Sequence, residues 1–128
     1  MKKGSFMKIQ EVSRLLNIPS PTLRYYEERD LISPVPRKGN QRDYSQSHIE
    51  QIQFIQCMKH TGMSLADIHH YTQLYLKGDA AADQERIQIL EVQKETVNQK
   101  MQELQESLDF LDYKIQHIYQ EIQEKSHQ

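Results

Sequence analysis

Apolar positions change their spacing several times along this chain, and each spacing predicts a different element. Ile9, Val12, Leu15 and Leu16 recur at helical intervals, so residues 8–16 read as a short amphipathic helix that Asn17 can end. Ile18-Pro19 then forces an extended turn, because proline disfavours helix in the residue before it. Ser20-Pro21 restarts a helix: the serine caps free amides, and a proline at the first helical position has no amide to lose. Leu23, Tyr26 and Leu31 give this second helix its buried side. Two short helices across a tight turn, over about residues 8–30, form a helix-turn-helix.

From residue 33 to 44 the prolines exclude helix, and Gly39-Asn40 marks a turn between short arms carrying Arg37, Lys38 and Arg42. A small basic hairpin, or wing, is expected there. Ser45 or Ser47 opens a third helix, Ser47 and Glu50 having capping-box spacing, and Ile49, Ile52, Ile55 and Met58 carry it to a stop near Gly62. Ser64 and Asp67 start a fourth helix by the same device, with Leu65, Ile68, Tyr71, Leu74 and Tyr75 along it and Gly78 at its end. From about Ala81 neither proline nor glycine appears. Val97, Met101, Leu104, Leu108, Leu111, Ile115, Ile118 and Ile122 follow alternating steps of four and three, the 3.5-residue average of a coiled-coil seam. Leu90 extends the seam backward, with Lys94 as a polar interruption. The bland alternative is a long helix packed on its own domain, but the front half offers few apolar partners for a seam of this length. The pattern predicts a mainly α chain: an extension over 1–6, a winged helix-turn-helix domain over 7–78 whose second helical pair spans about 45–78, and a coiled-coil dimerisation helix over 81–124.

Charge sharpens that division. Through Tyr44 the chain holds nine Lys/Arg against five acids, a net of +4; the remainder holds seven against thirteen, a net of −6. A basic front attracts phosphates, and an acidic back end is repelled by them. Apolar residues make up only 37% of the 128, so a deep private substrate pocket is not expected. No stretch has the roughly 18 apolar residues of a membrane span, and the first seven residues lack a signal-peptide core. A single cysteine, Cys57, cannot form an intrachain disulfide, which points to a cytoplasmic setting. No nucleophile–base pair, metal cluster or glycine-rich phosphate loop appears, so neither an enzyme nor a cofactor is expected.

The second helix reads Thr22-Leu23-Arg24-Tyr25-Tyr26-Glu27, which turns Leu23 and Tyr26 to one side and Thr22, Arg24 and Tyr25 to others. A recognition helix needs that arrangement, with Arg24 on a phosphate or a guanine edge and Tyr25 on a phosphate. The competing account makes Arg24 the surface partner of Glu27 or Glu28 and puts both tyrosines in the core. These residues, with Met7-Lys8-Ile9, Glu11-Val12, Leu31-Ile32, Arg42-Asp43-Tyr44 and Gly62-Met63-Ser64-Leu65, resemble the MerR family of bacterial regulators over residues 7 to about 76. The resemblance implies a homodimer joined by an antiparallel coiled coil. It implies a pseudo-palindromic promoter as target, bent and untwisted so that RNA polymerase can use it. It places Thr22, Arg24 and Tyr25 on the recognition helix and Arg42 and Tyr44 on the wing, gripping the backbone. Arg37 and Lys38 add phosphate contacts from the same arm, as do Lys59 and the amides that begin the fourth helix at Ser64.

The effector is read from what the family's branches carry. Metal-sensing members have paired cysteines near the end of the long helix; here that region has only His117 and His127, and His69-His70 point about 100° apart on a helix. A metal or iron–sulfur sensor is disfavoured, and no separate drug-binding domain is expected after the coil. Phe54-Ile55-Gln56-Cys57-Met58, followed by Gly62-Met63-Ser64, is similar to the branch that responds to aldehydes and thiol stress, in which a lone cysteine here is the proposed sensor. Lys59 and His60 favour thiolate and Glu50 opposes it; the alternative fate of Cys57 is a small buried hydrophobe. A drug-responsive regulator and, from another class, a coiled-coil adaptor that binds proteins are the rival readings.

Overall fold

The computed structural model describes residues 6–127, so residues 1–5 of the expected extension, with Lys2 and Lys3, lie outside the described residues. Five helices and one hairpin follow in order: α1 (Ile9–Leu16), α2 (Ser20–Glu28), β1 (Arg37–Lys38), β2 (Gln41–Arg42), α3 (Gln46–His60), α4 (Leu65–Lys77) and α5 (Ala80–Ser126). The chain forms two compact units, Met1–Leu90 and Glu91–Gln128. Among the described residues no helix is long and apolar enough to cross a membrane.

The first three helices stop in one way. A left-handed residue follows each: Asn17 (φ 56°), Asp30 (φ 57°) and Gly62 (φ 91°). The next amide then reaches back to the last turn, Ile18 to Ser13, Leu31 to Tyr26 and Met63 to Met58. This is the Schellman arrangement, which satisfies carbonyls the helix leaves free. Each amide donor carries an apolar side chain, and Ile18, Leu31 and Met63 are all buried. The stop signals therefore do two jobs: they end a helix and drop a hydrophobic plug into the core.

Helix starts depart in detail from the sequence expectation. Ser20 does not cap α2. Pro19 holds the capping position in extended geometry (φ −58°, ψ 140°), its carbonyl accepts from Thr22 and Leu23, and Ser20-Pro21 are the first two helical residues. At α3 the cap is Ser45, not Ser47, and its partner is His48, not Glu50. The His48 amide donates to Ser45 Oγ (3.4 Å) and the Ser45 amide to His48 Nδ1 (3.1 Å). Ser64 caps α4 by accepting from the Asp67 amide (3.1 Å). Asp79 caps α5, its Oδ1 accepting from the Ala82 amide at 2.8 Å, so that helix begins one residue earlier than its pattern predicts.

The core of the first unit gathers Val12, Leu23, Tyr26, Ile32, Val35, Tyr44, Ile49, Ile52, Ile55 and Ile68 around the three plugs. Leu15 is outside it and exposed, as are Leu65 and Tyr75. Polar side chains of α3 and α4 bind the backbone of the front elements: Gln56 donates to the Leu16 carbonyl, His48 to that of Pro34 and Thr72 to that of Leu31 (2.8–3.1 Å), while Gln51 Oε1 accepts from the Ser33 amide (2.7 Å). Buried backbone groups without such partners would be costly, so these contacts fix where the helix-turn-helix and the hairpin sit. The first turns of α5 belong to this unit: Ala82 is buried and Ile89 packs on the core.

The second unit is helix alone. Met101, Leu104, Leu108, Leu111, Ile115, Ile118 and Ile122 are each 44–65% exposed. Val97 is half-buried, and Leu90, at the end of the first unit, is half-buried too.

Candidate nucleic-acid interface

On α2, Leu23 and Tyr26 are buried while Arg24 and Tyr25 face solvent and Thr22 is half-buried. Arg24 makes no ion pair among the described residues, and Arg29 stacks over the exposed ring of Tyr25 (5.4 Å). The surface pairing of Arg24 with Glu27 or Glu28 does not form among the described residues, and Glu27 is engaged by Arg37 and Arg42 instead.

The hairpin is antiparallel, with Arg37 opposite Arg42 and Lys38 opposite Gln41. Two residues, Gly39-Asn40, connect the strands, and only Gly39 takes positive φ (+65°), the pattern of a type II′ turn. That register sets two guanidinium groups directly across from each other, a repulsive pair if left alone. Glu27, in the last turn of α2, bridges both and offsets half of their charge. Its Oε1 accepts from Arg42 Nε (2.8 Å) and Arg37 Nη2 (3.3 Å); its Oε2 accepts from the Val35 amide (2.9 Å) and Arg37 Nη1 (3.5 Å). Burial alone would raise the Glu27 carboxyl, but the bonds from Arg42, Val35 and Arg37 outweigh it and hold the carboxyl below the usual glutamate range. Charge-assisted bonds of this kind are worth about 1.5–3 kcal/mol each when shielded. One carboxylate thus joins the candidate recognition helix to both strands of the wing.

Tyr44 is a correction. The resemblance implies a wing tyrosine gripping the DNA backbone, but this ring is 0% exposed, edge-on to His48 (centroids 6.1 Å apart, 88° between planes). Its backbone exchanges two 2.8 Å hydrogen bonds with Met7, pinning the start of the chain to the end of the wing. The hydroxyl is buried without a hydrogen-bond partner among the described residues, and burial pushes the phenol above its ordinary value. Arg42 is also less available than its position suggests: its side chain is 18% exposed, against 43% for Arg37. Lys38 is exposed, and it lines a shallow depression with Lys8, Gln41, Arg42 and Asp43. Lys8 and Glu27 are the residues sequence reasoning passed over. Nothing in the sequence marks Lys8 as near the wing, and Glu27 was legible only as a helical neighbour of Arg24.

Lys59 is exposed at the end of α3, its ammonium 5.9 Å from the centre of the Tyr26 ring, and Ser64 is exposed at the start of α4. Cys57 is exposed on α3, not a buried hydrophobe. Glu50, Phe54 and Cys57 share a face of that helix by their i, i+4, i+7 spacing. Phe54 stacks on Tyr71 (4.4 Å, 21°), and the two line an open cavity of about 150 Å3 with Glu50, Gln51, Tyr75 and Arg86. Arg86 donates to the Tyr71 hydroxyl (3.3 Å) and to Asp83 (2.9 Å). His70 pairs with Glu85 (2.7 Å) rather than with His69.

Comparison with known proteins puts this geometry in context. The MerR HTH family regulatory protein profile matches residues 7–74, and the MerR DNA-binding profile matches residues 49–114. The transcriptional regulator AdhR of Bacillus subtilis is 40% identical over 78 residues, covering 60% of this chain but only 56% of AdhR. An uncharacterised HTH-type regulator of Haemophilus influenzae is 34% identical over 102 residues, 78% of this chain and 74% of that protein. Among solved structures, HiNmlR, a MerR family regulator lacking the sensor domain and bound to promoter DNA, superposes with a TM-score of 0.80 at 30% identity over 86% of this chain and 87% of that one. With an exposed α2 face, a basic two-stranded wing and a second helical pair behind them, this chain belongs to the MerR family of DNA-binding transcriptional regulators.

Proposed function

We propose that two copies of this protein, joined along the seam of α5, bind a twofold-symmetric promoter and distort it to control its use by RNA polymerase. The observation that carries the reading is the single basic face made by α2 and the hairpin, held together by Glu27 and presenting Arg24, Tyr25, Arg37 and Lys38 to solvent. Thr22, Lys59 and Ser64 complete the proposed contact set, and Arg42, largely covered and bonded to Glu27, holds the wing in place behind it. Each protomer offers one recognition helix, so a dimer requires two half-sites related by its own twofold. The exposed row of Met101, Leu104, Leu108, Leu111, Ile115 and Ile118, with Leu90 and Val97 before it, supports a second copy as the partner.

The signal we propose is a thiol-reactive electrophile, an aldehyde in particular, captured by Cys57 in the cytoplasm, where a lone thiol stays reduced. Support comes from its exposure on α3, one helical turn after Phe54. The cavity lined by Phe54, Tyr71, Tyr75 and Arg86, which Cys57 does not line, is the one observation favouring a reversible small-molecule effector instead. Fluorescence anisotropy on the duplex upstream of the protein's own gene tests the DNA reading. A dimer with three to five phosphate contacts per protomer loses about 10³–10⁵ in affinity between 50 and 200 mM salt. Affinity that is flat with salt would support the protein-adaptor alternative.

A further inference from the structure

We infer that Glu27 is the specificity-setting positioning residue of the DNA interface, and that it yields Arg37, but not Arg42, to a phosphate when DNA binds. The inference rests on the DNA-binding reading above. Three features of the geometry support it. First, the carboxylate accepts from β1, from β2 and from the Val35 amide on the approach to the hairpin, so it fixes the wing in position and rotation relative to α2. Second, Arg37 and Arg42 are register partners whose mutual repulsion requires an anion between them, and Glu27 supplies it before any phosphate arrives. Third, the two arginines are held unequally. Arg42 makes the shorter bond and is largely covered, whereas Arg37 reaches Glu27 only through longer bonds at 3.3 and 3.5 Å, is more exposed, and has a third bond, to the Val35 carbonyl, that does not depend on Glu27. A phosphate can replace Glu27 at Arg37 while Arg42 keeps the wing in place.

The consequence runs against simple electrostatics. Removing a negative charge from a basic face should tighten binding to any duplex, because fewer charges oppose the phosphates. With Glu27 as positioning residue, Glu27→Gln tightens binding to a shuffled duplex but weakens binding to the promoter duplex. The wing then no longer holds one register with α2, and the ratio between the two affinities falls by about tenfold or more, the size of one lost charge-assisted contact. A merely less stable fold would lower both affinities together.

Anisotropy titrations of the full chain on the duplex upstream of its own gene, and on a shuffled duplex of equal length, read this ratio. Repeating them across salt concentrations separates the arginines: Arg37→Gln, carried by both protomers of the dimer, lowers the salt slope by about 1.8, two phosphates, and Arg42→Gln leaves the slope unchanged while lowering the ratio as Glu27→Gln does. If Glu27→Gln does not fold, as judged by thermal melting, the two arginine slopes decide alone. A wild-type ratio in a folded Glu27→Gln protein, or a slope lost in Arg42→Gln and kept in Arg37→Gln, overturns the inference. Wild-type protein with no salt-dependent preference for any duplex instead overturns the DNA-binding reading itself.

Discussion

Replacing Tyr44 by phenylalanine should make this protein more stable. The ring is fully buried, and its hydroxyl lies within the core with no hydrogen-bond partner among the described residues. A buried hydroxyl left unpaired costs about 1–3 kcal/mol relative to its solvated state. Tyr44→Phe removes that cost and keeps the ring's edge contact with His48 and the backbone pairing with Met7. The void left by one oxygen, roughly 10 Å3, costs about 0.2 kcal/mol at 24 cal/mol per Å3, too little to reverse the sign. A net gain of about 1 kcal/mol raises Tm by about 3–6 °C for a chain of this size. Urea unfolding at fixed protomer concentration is the assay, with a higher midpoint and an unchanged slope expected. The alkaline limb gives a second check. Burial raises the Tyr44 phenol above 10, so its contribution is fully present below that value and is lost as pH rises through the folded-state value. That component vanishes in Tyr44→Phe. Destabilisation by 1 kcal/mol or more would mean the hydroxyl is satisfied in the free protein, and a tenfold loss of promoter affinity would mean it reaches a phosphate; either result refutes the reasoning.

Leu108→Asp places a charge in the middle of the exposed apolar row of α5, and at micromolar concentration the protein should sediment as a single copy with reduced helical signal, since a lone helix without a packed face is weakly stable. Cys57→Ser, exposed and outside the α2–wing face, should bind promoter DNA within about twofold of wild type yet lose induction by aldehydes in a reporter strain; unchanged induction would remove Cys57 as sensor. Glu27 gives the acid limb its sign: its carboxyl is lowered on folding, so its contribution is present above the ordinary glutamate range and is lost as pH falls through the folded-state value. The stability difference between wild type and Glu27→Gln should therefore shrink toward zero in acid, as urea midpoints at successive pH values would show.

The legible parts of the fold are those governed by local chemistry. Proline at 19 and 21, the turn at Gly39-Asn40 and the stops at Asn17, Gly62 and Gly78 act over a few residues, and the helices and hairpin appear where those signals put them. The 3.5-residue spacing after Val97 likewise shows as one long helix with an exposed apolar row. The rest depends on contacts that span the chain. Sequence leaves Ser45 and Ser47 both open as the start of α3, and the cap falls to Ser45, whose partner His48 also reaches the Pro34 carbonyl, fourteen residues back. Glu27 is a helical neighbour of Arg24, but the two arginines that claim it stand ten and fifteen residues later. Tyr44 looked like a wing contact because sequence gives its distance from Arg42 but not the side of the strand it faces. In the candidate site, residues on one helix could be sorted by rotation angle. The tie between helix and wing could not, because it exists only after both have folded.

The central claim is that two copies present α2 and the wing to adjacent stretches of one duplex. Hydroxyl-radical footprinting of both strands of the protein's own upstream region, on complexes whose protomer-to-duplex ratio is fixed by sedimentation, tests it most directly. The account predicts two protomers per duplex and two protected stretches, equivalent on the two strands and centred about one helical turn or a whole multiple apart. One protomer per duplex, or protection without twofold symmetry, would contradict it.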